Sequence, residues 1–233
     1  MANTLRFRFS RDERLKYIAH LDVLRLFERA IKRAGLPVAY TQGFNPRPKI
    51  VFGLPMSIGL TSECEYADIE FSADLSPEEF VETINKSLPD GMRVDKAVPR
   101  TSGDNIMNQI TAARYEITFE TEVPLASSEI DNLVHSFMSR EEIVVPKKTK
   151  KGMRPVNIRP WIYSLSAYVK DGALIVMDAF LSAGAENNLR ADLLLEAFSR
   201  ETGVKCHIMS IHRKVLYAST FNEWKDPFEV AHG

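Results

Sequence analysis

The chain has 233 residues, with 30 Lys and Arg against 31 Asp and Glu, a formal net charge of −1 and 45% hydrophobic residues. That balance excludes a general polyanion binder, so nucleic-acid contact has to come from a local patch, and the length suits one large domain or two of roughly 100 to 120 residues. Two cysteines, Cys64 and Cys206, are too few and too far apart for an iron–sulfur or zinc motif, which excludes a cluster-bearing radical enzyme and points to free, buried thiols.

The N-terminal MANTLRFRFSRDER has no apolar h-region, and no run approaches the length that spans a bilayer, so a cytoplasmic protein without a membrane partner is expected. Within it TLRFRFS alternates as a strand, Leu5, Phe7 and Phe9 on one face and Arg6 and Arg8 on the other, where the arginines extend a basic surface. The stretch from Tyr17 to Gly53 is the most informative in the chain. About 100° per residue places Val23, Leu24, Phe27, Ala30, Ile31 and Ala34 on one arc of a helix and Arg25, Arg29, Lys32 and Arg33 on the opposite arc. Lys32 and Arg33 suit the negative end of the helix dipole, Gly35 suits a left-handed cap and Pro37 forbids continuation.

After a strand-like VAYT comes a loop of Gln42, Gly43, Phe44, Asn45, Pro46, Arg47, Pro48 and Lys49. Two prolines and a glycine fix its backbone while polar and cationic side chains stay available. Arg25, Arg29 and Arg33 recur once per turn along about 12 Å of helix, set by the 1.5 Å rise, a ladder suited to successive phosphates. With Arg47, Lys49 and a stacking Phe44, alongside Gln42 and Asn45, helix and loop read as an RNA surface. The plain alternative is a solvated helix face and an ordinary tight connection. Charge is asymmetric: residues 1–50 carry 11 basic and 4 acidic side chains, residues 51–100 carry 4 and 10. His20 projects to the apolar side, where a hydrogen-bonded structural imidazole is the default and a general acid or base for RNA cleavage the weaker candidate. Asp22 falls in the basic arc and pairs with Arg25 three residues on.

HLDVLRLFERAIKRAGLPVAYTQGFNPRPKI resembles the signature of the bacterial radical-SAM-linked protein family, a domain of unknown function, with VNIRPWI and NNLRADLLLEAF as later landmarks. Members are fused to, or encoded beside, a cobalamin-binding radical SAM protein, and some lie near ribonuclease E/G-type genes. The resemblance therefore implies a radical SAM partner and work on RNA, tRNA or rRNA, and assigns no reaction. Arg47 stands where many relatives carry a histidine, which weighs against a catalytic imidazole in this loop.

Downstream, IVFGLPMSIG and ECEYADIEFS read as strands, the second with Tyr66 and acidic neighbours on an exposed face. SPEEFVETINKSL opens a helix at Ser76 and Pro77, and GMRVDKAVPR closes the half as a strand. Residues 101–111, TSGDNIMNQIT, lose periodicity as a connection. A similar order then repeats: RYEITFE as a strand; SSEIDNLVHSFMSR as a helix capped by Ser127 or Ser128; EEIVVPKK, VNIRPWIYSLSAYV and ALIVMDAFL as strands; a helix from Asn188 to Gly203; and VKCHIMSIHRKVLY as the last strand.

The expected fold is α+β, two tandem ferredoxin-like βαββαβ units with antiparallel sheets covered by helices on one face. The units are residues 1–105 and 106–220, with a tail at 221–233 that docks or frays. That plan is similar to RNA-binding ferredoxin-like proteins such as the CRISPR-repeat endoribonucleases. Between Pro146 and Arg159 the sequence is cationic with no acid, and its Arg154 and Arg159, near Trp161 and Tyr163, extend the RNA surface; Arg190 ahead of the last helix is a further anion contact, its plain reading a capped turn. His207 and His212, five apart on a strand, point to opposite faces, so no metal is expected. There is no Gly-rich phosphate loop, dinucleotide fingerprint or nucleophile triad, so neither a cofactor nor a complete catalytic constellation is expected. The function classes left open are an RNA-binding accessory to a radical SAM enzyme, a metal-independent endoribonuclease using His20, and a protein adaptor whose arginines meet acidic residues of the partner.

Overall fold

The structure, a computed structural model, describes residues 3–101, 103–149, 152–220 and 223–232, the side chains of 147–149 and 220 excepted. The fold is mixed α+β with mostly antiparallel strands, and the chain divides into two compact units, Met1–Ala112 with Arg213–Gly233 and Ala113–His212. No helix among the described residues is long and apolar enough to cross a membrane.

The first unit contains β1 (Asn3–Arg11), α1 (His20–Ala34), β2 (Ile50–Phe52), β3 (Leu60–Phe71), α2 (Pro77–Asn85), β4 (Met92–Pro99) and a single helical turn, α3 (Ile106–Gln109). β1 pairs antiparallel with both β3 and β4, and β2 pairs antiparallel with the later part of β3. The expected alternation in β1 holds on its apolar side. Phe7 meets Phe27 and Phe80 at ring-centroid distances of 5.5 and 5.2 Å, and Phe9 meets Phe27 at 5.1 Å, so α1 and α2 seal that face. Burying each ring contributes about 1.5–3 kcal/mol.

The opposite face corrects the sequence. Arg6 does not extend a basic surface: it is buried and ion-paired with Asp68, while Arg8 pairs with Asp95. Tyr66, expected with acidic neighbours on an exposed face, is buried too. The cause is a cover that local sequence does not reveal, since the C-terminal segment lies over this side of the sheet. Phe228 stacks edge-on to Tyr66 at 5.0 Å, the Tyr66 hydroxyl donates to Asp226 at 3.1 Å, and Arg6 donates to the Pro227 carbonyl at 2.7 Å. The tail thus docks, adding β11 (Glu223–Lys225) antiparallel to the end of β10 (Cys206–Thr220). On the other face, where Glu65 stands opposite Phe9 in the β1–β3 register, Glu65 pairs with Arg213 at 2.8 Å; Arg11, also buried, donates to the carbonyls of Ile18 and Leu60.

The second unit contains most of β5 (Ile110–Thr121), then α4 (Ser127–Met138), β6 (Val144–Thr149), β7 (Gly152–Asn157), β8 (Ile162–Asp171), β9 (Leu174–Ser182), α5 (Ala191–Thr202) and the start of β10. Its strands run in the order β10-β5-β9-β8, and β6 and β7 form a separate two-stranded ribbon. The long strand expected over VNIRPWIYSLSAYV is broken. A short 3-10 turn at Arg159–Trp161 divides it because Pro160 withholds a ladder donor and Asn157 Oδ1 accepts from the Arg159 N–H at 3.0 Å.

Two helix starts also shift. Ala126 flanks α4 rather than a serine, its N–H bonded by Glu129 at 2.6 Å. α5 begins at Ala191 instead of near Asn188, because Leu189 N–H is tied to the Ser182 carbonyl at 3.0 Å and Ser182 Oγ donates to the Asn187 carbonyl at 3.0 Å. Ser76 caps α2 as expected, accepting from Glu79 N–H at 3.1 Å.

Candidate nucleic-acid interface

α1 is an amphipathic cylinder whose buried side is Val23, Phe27, Ala30 and Ile31. Its end is the one expected. Gly35 sits at φ 64° and Leu36 N–H returns to the Ile31 carbonyl at 3.3 Å, so the last turn is closed and the cationic face keeps its direction to the helix end. Arg25, Arg29 and Arg33 are exposed along one edge of a groove of about 330 Å³. Leu15, Ile18, Leu26 and Pro89 supply its apolar surface, and Asp22 stands beside the arginines.

The three guanidiniums are held differently. Arg25 donates to Asp22 at 3.1 Å, the pair expected from their spacing. Arg33 donates to the Ser87 carbonyl at 2.6 Å, a bond from the end of α1 to the turn after α2. Among the described residues Arg29 has neither an ion-pair nor a hydrogen-bond partner. Two fixed cations thus flank one free cation, and since neutral partners or a single exposed carboxylate use only part of a guanidinium's five donors, each retains N–H groups for an anion.

The loop is built as a narrow tongue. Thr41 N–H donates to the Arg47 carbonyl at 2.9 Å, Arg47 N–H donates to Thr41 Oγ1 at 3.1 Å, and Tyr40 bridges Pro48 below. Gly43, at φ 129°, takes a conformation that a side chain would strain. Gln42, Phe44, Asn45 and Arg47 are exposed on this tongue, and Lys49 pairs with Glu70 at 2.8 Å. None of these residues lines the groove. Sequence therefore merged two features that the fold keeps apart, a groove on α1 and a tongue after it.

His20, at the first turn of α1, is half-buried with its ring edge-on to Phe52 at 5.6 Å. Burial, helped by the Arg11 charge, holds its imidazole below the ordinary histidine range.

In the second unit Arg154 is exposed on β7, and Arg159 spends its guanidinium on the carbonyls of Met138 and Ile162 at 3.0 and 3.1 Å. Arg190 forks onto Asp192 at the mouth of α5. Of the lysines in the cationic stretch between Pro146 and Arg159, Lys150 and Lys151 lie outside the described residues, as do the side chains of Lys147 and Lys148. Among the described residues no three His, Cys, Asp or Glu side chains gather to hold a metal. What sequence missed is the partner wall of the groove: Leu15, Ile18 and Pro89 carry no motif, and only the packing of α1 beside α2 brings them together.

No curated protein matches the chain. Among solved structures it is similar to one from a Cbf5–Nop10–Gar1 complex, 12% identical, covering 89% of this chain and 48% of that one with a TM-score of 0.50. It is also similar to one from an archaeal box H/ACA sRNP Nop10–Cbf5 complex, at 11% identity, 90% and 46% coverage and a TM-score of 0.48. The chain thus spans about half the length of these neighbours, and at such identity the likeness is one of fold alone. Residues 4–191 match the family described as "Uncharacterized protein conserved in bacteria (DUF2344)", and the chain belongs to that family.

Proposed function

We propose that the chain is an RNA-binding accessory module, without catalytic machinery of its own, that works in the cytoplasm with a cobalamin-binding radical SAM enzyme on tRNA or rRNA. The observation that carries the RNA part is the α1 groove: Arg29, unpartnered, between Arg25 and Arg33, each pinned by a neighbour. Exposed guanidiniums at one per helical turn suit a phosphate backbone, and at the two that are pinned little side-chain entropy remains to be lost on binding. The tongue, with Phe44 fully exposed and Arg47 free of side-chain partners among the described residues, offers a second contact. The radical SAM partner rests on the sequence resemblance.

The strand orders support an architecture of two tandem ferredoxin-like units, residues 1–105 and 106–220, followed by the tail. With β2 on the far side of β3, the first half runs β4-β1-β3-β2, and the second runs β10-β5-β9-β8 with the β6–β7 ribbon inserted. Both are the fourth, first, third and second strands of a βαββαβ plan. His20, half-buried with its ring packed edge-on to Phe52, favours a structural imidazole over an endoribonuclease.

Fluorescence anisotropy with tRNA and rRNA fragments across a salt series tests the proposal. Micromolar or tighter binding is expected, with log affinity falling by about 0.7–0.9 per phosphate contacted. No binding to any RNA at low salt overturns it and leaves the adaptor role, in which the same arginines meet an acidic protein surface.

A further inference from the structure

The α1 groove contains more than an anion site requires. Phosphate recognition needs only the arginines, yet their edge borders an apolar surface of Leu15, Ile18, Leu26 and Pro89. A duplex offers phosphates and base edges while its base faces stay stacked inside, so an apolar wall beside the cations gives a paired helix nothing. An unpaired nucleotide differs, having one anionic end and one flat apolar face. The groove's volume, about 330 Å³, falls at the small end of the range that encloses a small ligand, matching a single base rather than a run of them.

Asp22 points the same way. A carboxylate on this rim repels a second phosphate, but it accepts a hydrogen bond from an exocyclic amino group or a ring N–H. Its Oδ1 is engaged by Arg25, which also fixes its direction.

We infer that this groove takes one unpaired RNA nucleotide, its base against Leu26 and the adjoining apolar wall and its phosphate at Arg29. The inference rests on the RNA-binding role proposed above and adds the class of RNA: loops, bulges or single-stranded ends in preference to continuous duplex.

The test uses the full chain and fluorescein-labelled RNAs: a hairpin with a single-stranded loop, a blunt duplex of the same stem sequence, and a series of hairpins each carrying one abasic position in the loop. The hairpin is expected to bind about 10-fold tighter than the duplex, and at least one abasic position to cost about 10-fold, as loss of one packed base does. Leu26→Ala, checked for its fold by circular dichroism, is expected to narrow the difference in affinity between hairpin and duplex. The abasic series on the unaltered protein stands without that variant. Equal affinity for hairpin and duplex with a flat abasic series overturns the unpaired-nucleotide inference while leaving RNA binding intact; absence of binding to every RNA overturns both.

Discussion

Arg6 and Asp68 sit opposite one another across the β1–β3 pair, both buried, with Arg6 Nε 2.8 Å and Nη2 3.1 Å from the two carboxylate oxygens. The pair is also a hub. Asp68 accepts the Ile106 N–H at 2.8 Å and lies 3.6 Å from Arg100, while Arg6 holds the Pro227 carbonyl. One buried ion pair thus ties β1 and β3 to α3 and to the C-terminal segment. Asp68→Ala leaves a buried guanidinium without its counter-charge and is expected to cost about 3–5 kcal/mol, read by urea unfolding. The double variant Arg6→Met with Asp68→Leu should recover only part of this loss, because the Ile106 N–H and the Pro227 carbonyl remain buried without partners, at about 1–3 kcal/mol each. A double variant as stable as wild type would mean those main-chain groups find other partners.

The reason this hub was illegible in sequence is distance along the chain. Leu5, Phe7 and Phe9 announce a strand with one apolar face, and that face is where they place it. Whether Arg6 meets water depends on a segment 221 residues away, and alternation within β1 cannot register it. Tyr66 misleads for the same cause, and Glu65, buried on the other face opposite Phe9, misleads because a strand covered on both sides loses the polar-out signal. The body and C-terminal end of α1 were legible because its amphipathic arc, Gly35 and Pro37 are local, and so was the Asp22–Arg25 pair. The Arg33 bond to Ser87 crosses 54 residues and required the packing of two helices.

His20 gives a pH dependence whose sign follows from its burial. Its pKa in the folded state lies below the ordinary value of about 6.5, so the unfolded chain binds the proton more readily. The contribution to stability is complete above about pH 6.5 and is lost as pH falls from there towards the folded-state value. Thermal unfolding of wild type and His20→Gln, compared from about pH 7.5 down to about pH 5, should show the wild type losing more stability on acidification. Parallel curves would mean the imidazole protonates as easily folded as unfolded.

Cys206, half-buried at the start of β10, has its thiol pushed up to about 11 by burial. At pH 8 it should therefore present roughly 200-fold less thiolate than a free cysteine with a pKa near 8.5. Cys64 is buried and raised as well. Iodoacetamide labelling of the folded protein followed by peptide mass mapping is expected to modify both slowly at pH 8, with both becoming fast in urea. Rapid native labelling of Cys206 would show that β10 opens there.

The arginines of α1 separate by what else each one holds. Arg33→Ala removes a cation and also a 2.6 Å tie to Ser87, so any loss of RNA affinity comes with a loss of helix–helix anchoring and a lower melting temperature. Arg25→Ala frees Asp22, and the carboxylate then repels the backbone more strongly than before, so its effect on affinity exceeds that of one lost contact. Arg29→Ala is the cleanest probe, because among the described residues its guanidinium makes no hydrogen bond or ion pair that the fold would lose. It should leave the melting temperature unchanged and reduce the slope of log affinity against log salt by about 0.7–0.9, one phosphate's worth of released counterion. A slope unchanged in Arg29→Ala, with RNA still bound, would move the phosphate contacts from the groove to the tongue, and Arg47→Ala would then carry the same expected change.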